Sequence, residues 1–101
     1  IKNNCRNKVK VRLLDIIKES HKLGYSVKYD LIMINILANV VVQAKCDIAK
    51  LISNSGILMV SGFTKEQKKK IRVNYQNLGF IVLREFTRNN WVTLVMRAPN
   101  F

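Results

Sequence analysis

A short, continuous apolar run in the first half of the chain constrains the fold more than any other feature. Tyr29–Ile34 reads Tyr-Asp-Leu-Ile-Met-Ile, so one acid is followed by large apolar side chains with no polar residue among them. A run of this length without alternation is typical of a strand buried on both faces in the middle of a parallel sheet.

A helix and a second strand follow this run. Val40–Ile52 carries apolar residues at helical spacing, which predicts a helix that ends in the turn residues Ser53–Gly56. Ile57–Val60 is a second apolar strand, closed by Ser61 and Gly62. The apolar positions of the helix are Val41, Ala44, Ile48, Leu51 and Ile52.

The last third of the chain predicts one more helix and a hairpin. Thr64–Gln67 has the residue types of a capping box, and Gly79 stands where a left-handed residue can end the helix. Phe80–Thr87 and Trp91–Arg97 alternate as strands, and the link between them is short enough for an antiparallel hairpin. The side chains predicted to be buried in this helix are Ile71, Tyr75 and Leu78.

Strands therefore alternate with helices until the hairpin closes the chain. Val9–Leu14 predicts an earlier strand that ends at Asp15, and residues 16–26 predict a connection with a short helix. This order is typical of a parallel sheet built by right-handed crossovers. The predicted class is α/β: a mostly parallel, Rossmann-like sheet whose hairpin adds one antiparallel strand at the edge. We expect residues 1–101 to belong to a single domain.

Composition excludes several classes of protein. No apolar run approaches the roughly 20 residues of a membrane-spanning helix, and Ile1–Lys10 lacks the apolar stretch of a secretory signal. Cys5, Cys46 and His21 are too few and too scattered for a disulfide framework or a metal site. We therefore expect no metal, no membrane contact and a cytoplasmic protein with reduced thiols, and we expect Cys46 to be buried in its helix.

The net charge of +12 is the one unusual bulk property. It favours contact with nucleic acid or another polyanion. The chain is also rich in Asn, Ile and Lys, as expected of an AT-rich genome, in which lysine accumulates on surfaces without a binding role. The second interpretation is the more economical one, and a nucleic-acid partner through the basic surface stays open.

Several segments, in the right order, resemble the ribosomal protein L11 methyltransferase family, which is one of the class I methyltransferases. Tyr29–Ala38 looks like that family's Asp-hydrophobic-Asn-Ile-Leu-Ala segment, and Ile57–Phe63 is similar to its next strand, which ends in Ser-Gly. Leu78–Phe80 and Asn90–Val95 resemble its closing Gly-Phe and Trp-Val stretches. Arg12–Ile17 resembles the segment after the family's third strand.

The resemblance implies an enzyme that uses S-adenosylmethionine to methylate lysine side chains and the α-amine of a large-subunit ribosomal protein. It implies that Asn35 contacts the cofactor beside the transferred methyl group and orients the target amine. It also implies that Asp15 lies near the adenine of the cofactor. A purely structural role stays open for both residues: Asn35 can end its strand and cap the next turn, and Asp15 can face water.

Three further residues have both a structural and a functional interpretation. Ser61 and Gly62 can line the floor of a substrate cleft, but a tight strand-to-helix turn explains them equally well. Trp91 is expected to pack in the core or along the sheet edge rather than to serve as a platform for substrate.

Features of the family are also missing from this sequence. No Gly-x-Gly-x-Gly loop and no acid for the ribose hydroxyls are found, nor is the family's N-terminal domain, and Asn54–Gly56 stands where Pro-Gly-Gly is usual. Ile1 is not a methionine. We therefore expect a C-terminal part of a longer enzyme, without the first strands, which leaves the Tyr29 strand with an apolar edge. Such a part is expected to be inactive alone.

Three rival functions stay open at this point. A related methyltransferase acting on RNA or on a glutamine amide usually has Asn-Pro-Pro-aromatic where this chain has Asn35–Ala38. A small basic RNA-binding module would use Lys65–Arg72 and Lys2–Arg12. A remnant without activity is the third. The sequence predicts no oligomeric state.

Overall fold

The structure is a computed structural model and describes residues 28–101. Two predictions, the strand Val9–Leu14 and the connection over 16–26, lie outside the described residues, as does Asp15. The elements in chain order are β1 (Tyr29–Asn35), α1 (Ala38–Gln43), α2 (Lys45–Leu51), β2 (Ile52–Thr64), α3 (Lys65–Gln76), β3 (Ile81–Arg88) and β4 (Trp91–Arg97).

The four strands form one mixed sheet in the order β1-β2-β4-β3. β1 and β2 are parallel, whereas β4 runs antiparallel to both β2 and β3. It follows that β1, β2 and β3 run in one direction and only β4 opposes them. The predicted α/β class, with a mostly parallel sheet and a C-terminal hairpin, is confirmed.

The expectation that the antiparallel strand lies at the edge is wrong. β4 is inserted between β2 and β3, so that β3 lies at one edge of the described sheet and β1 at the other. The apolar residues Val92, Leu94 and Met96 of β4 are at most 1% exposed, whereas most side chains of β3 are exposed. The more apolar strand of the hairpin therefore takes the interior position, because its side chains gain more from burial.

The core lies between one face of the sheet and the three helices. α3 is fastened to α1 by a buried hydrogen bond, in which the Tyr75 hydroxyl donates to the Val41 carbonyl at 2.8 Å. The Tyr75 ring also packs edge-on against Phe80, with ring centroids 5.3 Å apart. The core includes Ile34, Leu58, Val60, Leu94 and Met96 from the strands and Val41, Ile48, Ile71 and Tyr75 from the helices.

The single helix predicted over Val40–Ile52 is two short helices in the structure. Ala44 separates them with φ −88° and ψ 5°, and the helical region begins at Ala38. The apolar positions that predicted the helix are all buried. The last of them, Ile52, already belongs to β2. The apolar spacing therefore predicted which face is buried, but it did not predict the break between the two helices.

Ser53–Gly56 is part of β2 rather than the turn that was predicted. The pairing with β1 is irregular here, since it passes from Tyr29↔Ile52 to Leu31↔Ile57. The extra residues form a bulge in which Ser55 has φ 60°. The Ala98 amide donates to the Gly56 carbonyl at 2.8 Å, so the C-terminal segment holds the bulge in place.

Cys46 is exposed, so the prediction of a buried thiol is wrong. Ala44 and Ile48, four residues apart on the same helical face, point into the core. A residue midway between them in sequence lies on the opposite face of the helix.

α3 begins and ends as the sequence predicts. The Thr64 amide donates to Gln67 Oε1 at 2.9 Å, and Gly79 adopts φ +98° beyond the last turn. Ile71 and Tyr75 are buried, and Leu78 is partly buried against the core. Among the described residues, no helix is long and apolar enough to cross a membrane.

Candidate functional site

A row of four side chains crosses the sheet at the carboxyl end of the parallel strands. Asn35 of β1 pairs in register with Ser61 of β2, Ser61 with Thr93 of β4, and Thr93 with Phe86 of β3. Side chains alternate between the faces of a strand. Because the preceding Ile34 is buried against the helices, this row lies on the opposite face. Ligands of open α/β sheets bind at this edge of the sheet.

Gly62 places the Asn35 amide. The pairing of β2 with β4 shifts between Ser61 and Phe63, so Gly62 is the extra residue of a bulge, and its φ is +89°. A Cβ added at Gly62 would overlap Asn35 Oδ1 and lie 3.2 Å from Asn35 Cγ. The missing side chain therefore leaves the space that the Asn35 amide occupies. Asn35 itself is exposed at the end of β1.

An open cavity of about 520 Å³ lies beside this row. Asn35 and Gly62 border one side of it, and the tip of the β3–β4 hairpin borders the other. Trp91 is 58% exposed, so the expectation that it packs in the core or along the sheet edge is wrong. The lining residues are Asn35, Ser61, Gly62, Phe86, Thr87, Arg88, Trp91, Val92 and Thr93.

The hairpin tip is held next to the start of α3. The Lys65 amide donates to the Asn90 carbonyl at 3.2 Å, and the Asn90 side-chain amide donates to Glu66 Oε1 at 3.5 Å. A backbone hydrogen bond, followed by those from Thr64 and Asn90, lowers the pKa of the exposed Glu66 carboxyl. These contacts fix the position of the hairpin tip, and hence of Trp91, relative to β2.

The charges around the cavity are mainly positive. Among residues 28–101, Arg88 is the charged residue in the lining, and no carboxylate or histidine of this part of the chain borders the cavity. The Arg84 guanidinium lies over the Phe86 ring, with Cζ 5.3 Å from the ring centroid. Across the edge of the sheet, Lys68 Nζ forms an ion pair with Glu85 at 2.7 Å. No group of three potential metal ligands occurs among residues 28–101.

The family model for ribosomal protein L11 methyltransferase (PrmA) matches residues 1–99 of this chain. The chain belongs to the ribosomal protein L11 methyltransferase family. It is 31% identical over 71 residues to the ribosomal protein L11 methyltransferase of Caulobacter sp. strain K31, an alignment that covers 70% of this chain and 25% of the relative. It is 26% identical over 94 residues to the ribosomal protein L11 methyltransferase of Staphylococcus aureus strain MRSA252, and this alignment covers 93% of this chain and 28% of the relative. The chain spans about a quarter of these relatives.

Solved structures show the same fold. A ribosomal protein L11 methylase from Lactobacillus delbrueckii subsp. bulgaricus is similar with a TM-score of 0.69 and 23% identity, over 74% of this chain and 39% of that one. The M1.HpyAVI–SAM complex is similar with a TM-score of 0.68 and 14% identity, over 85% of this chain and 51% of that one. At these identities the likeness concerns the fold, and it confirms a methyltransferase-type sheet.

The structure brings part of the predicted site together. Asn35, Ser61 and Gly62 line one cavity, and the assignment of this cavity as a substrate cleft stays a prediction. Asp15 lies outside the described residues. Sequence reasoning missed Phe86 and Arg88. The alternation of side chains along β3 could be read from the sequence. Which of them share a face of the sheet with Asn35 could not, because that depends on the insertion of β4 into the sheet.

Proposed function

We propose that residues 1–101 are the C-terminal part of a single methyltransferase catalytic domain. The complete enzyme transfers a methyl group from S-adenosylmethionine to lysine side chains and the α-amine of a large-subunit ribosomal protein, in the cytoplasm. The observation that carries this proposal is the Asn35 amide, placed by Gly62 at the carboxyl edge of the parallel strands and facing a cavity. Membership of the family supplies the substrate class.

The residues present fit the cofactor. The exposed Asn35 amide at the end of β1 offers both a donor and an acceptor, and the glycine at position 62 accommodates this amide. Asn35 would hold the cofactor beside the transferred methyl group, and Asp15 would accept a hydrogen bond from the adenine amine. When bound, S-adenosylmethionine supplies an electrophilic methyl carbon, to which the amine nitrogen bonds as the carbon–sulfur bond breaks.

The role proposed for Asn35 in the reaction is orientation. Its amide oxygen can accept a hydrogen bond from the target amine and so aim the nitrogen lone pair, while the amine proton leaves to water. Positioning of this kind accounts for a large share of the rate in transfer reactions. No strong base is needed for this step, and the part of the lining that the structure describes offers no carboxylate or histidine.

The rival functions are less well supported. The family match and the Ile36–Leu37 pair after Asn35 speak against an enzyme for RNA or glutamine amides. A nucleic-acid partner would use Lys65–Arg72, in which Lys65, Lys69 and Lys70 are exposed, and Lys2–Arg12, which lies outside the described residues. That partner stays a prediction, to be checked by the salt dependence of RNA binding.

The test of the cofactor role uses a graft. The aligned C-terminal region of the Staphylococcus aureus relative is replaced by this chain, and binding of S-adenosylhomocysteine is measured by calorimetry. We expect the graft to bind, and Asn35→Ala to weaken binding roughly tenfold, which is about 1.4 kcal/mol, since a hydrogen bond to a charged ligand is lost.

The control is Asn77→Ala. Asn77 is exposed at the end of α3, which returns to the opposite edge of the sheet, and this variant should bind like the unmodified graft. Equal affinity in the Asn35→Ala and Asn77→Ala grafts would remove Asn35 from the cofactor site.

A further inference from the structure

Two aromatic side chains stand exposed at the cavity opposite Asn35. Phe86 is 49% exposed and Trp91 is 58% exposed. Trp91 pairs across the hairpin with Arg88, two residues beyond Phe86, so both rings lie on the face of the sheet that carries Asn35. Leaving two large rings in contact with water costs free energy that a bound ligand would recover.

The Phe86 ring already binds a cation within the structure. The Arg84 guanidinium lies over it at 5.3 Å, within the range of a cation–π contact. Arg84 is not part of the cavity lining, whereas Phe86 is. The Phe86 ring therefore contacts the Arg84 guanidinium and also borders the cavity.

We propose that Phe86 and Trp91 form an aromatic subsite for the alkylammonium group of the target, and that this subsite prefers the methylated amine to the unmethylated one. The identity of the ligand rests on the function proposed above. Each methyl group adds apolar surface and weakens hydration of the nitrogen, while the positive charge is attracted to the ring faces.

Among residues 28–101, the lining contains no carboxylate. A carboxylate beside the amine would stabilise the ammonium form, which has no lone pair for the reaction. Aromatic faces attract an ammonium group less strongly than a carboxylate does, and they also contact its methyl groups. The Arg88 guanidinium in the lining repels any positively charged ligand, so the preference for the methylated amine comes from contacts between the rings and the methyl groups.

The test uses the full chain, in which Trp91 is the only tryptophan. Its fluorescence is followed during titration with trimethyllysine amide, lysine amide, choline and neohexyl alcohol, in which a carbon replaces the choline nitrogen. We expect millimolar binding of trimethyllysine, with about threefold or greater preference over lysine, and the same preference for choline over the neutral alcohol.

Three variants locate the site. Phe86→Leu should weaken trimethyllysine binding about threefold or more, because it removes a ring face but keeps an apolar side chain. Phe101→Leu is the matched control, since Phe101 is 61% exposed and lies outside the cavity lining. Arg84→Gln should tighten binding about twofold, since it frees the ring and removes a like charge. A merely structural role of Phe86 would not produce that gain.

Two results would overturn the subsite. Equal binding of neohexyl alcohol and choline would show an apolar patch with no preference for charge. Quenching of Trp91 by oligouridylate without any response to trimethyllysine would assign the rings to base stacking. Either result leaves cofactor binding by the graft unaffected, so failure of the subsite can be told apart from failure of the proposed function.

Discussion

At the residue scale, the position of the Asn35 amide depends on the glycine that faces it across the parallel strands. Gly62 combines a positive φ of +89° with a Cβ position that Asn35 occupies. The resemblance indicated both residues in the sequence, but not that one makes room for the other. That dependence arises from the register of β1 and β2.

Gly62→Ala should lower the free energy of unfolding by about 1–3 kcal/mol, because both the backbone conformation and the contact with Asn35 become unfavourable. Urea unfolding measures the change. In the double variant with Asn35→Ala, part of the loss should be recovered, since the overlap disappears.

Gly79→Ala is the comparison for backbone strain. Gly79 has φ +98°, but an added Cβ would meet Pro99 at 3.1 Å and not Asn35. Its cost should therefore be unchanged by Asn35→Ala. Additive effects of Gly62→Ala and Asn35→Ala would contradict the coupling between those two residues.

Tyr75 gives a prediction about pH. Burial, with a smaller contribution from Cys46, raises the pKa of the Tyr75 phenol well above its usual 10.0. In the unfolded chain this phenol loses its proton at about pH 10, whereas the folded protein retains it. The contribution of the Tyr75 phenol to the free energy of unfolding is therefore complete below about pH 10 and declines as the pH rises further.

In Tyr75→Phe, the free energy of unfolding should decline less steeply above about pH 10, because the phenol that titrates there is gone. At neutral pH it should cost about 1–3 kcal/mol, because the buried Val41 carbonyl loses its donor. Urea unfolding of both proteins from about pH 8 to 11 provides the comparison. Parallel curves across that range would show that the Tyr75 phenol titrates alike in both states.

At the scale of elements, periodicity predicted the strands and helices but not their neighbours. The helical face over Val41–Leu51 and the capping of α3 could be read from the sequence, because both depend on residues close along the chain. The bulge at Ser53–Gly56 could not, because Ala98 and the C-terminal segment hold it from a distance. The place of β4 inside the sheet likewise depends on pairing across the whole fold.

The interior position of β4 predicts unequal costs for two leucines of the hairpin. Leu94 is fully buried in β4, whereas Leu83 of β3 is 43% exposed. Leu94→Ala should cost about 2–5 kcal/mol and Leu83→Ala less than about 1.5 kcal/mol, by urea unfolding. The reverse order of costs would place β4 at the edge instead.

At the scale of the molecule, the sheet formed by residues 28–101 has one face covered by helices and one exposed face. Leu31 and Met33 of β1 are 54% and 67% exposed on the face opposite the helices. Ile57, Met59 and Val95, which pair beside them, are only partly buried. Exposed apolar patches of this kind promote association.

Met33→Lys should therefore reduce concentration-dependent self-association of the 101-residue chain, as followed by sedimentation velocity. Val73→Lys on α3 is the control, because Val73 is 39% exposed but lies on the helical side. If both variants associate like the unmodified chain, the open sheet face takes no part in association.

The most direct test of the central claim is methyl transfer by the graft of this chain onto the Staphylococcus aureus relative. Tritiated S-adenosylmethionine and purified ribosomal protein L11 are supplied, and the labelled amines are identified by mass spectrometry. We predict labelling of amino groups at a rate that falls about a hundredfold in Asn35→Ala and is unchanged in Asn77→Ala. A folded graft that binds S-adenosylhomocysteine but leaves the ribosomal protein unlabelled, or labels it equally well without Asn35, would contradict the account.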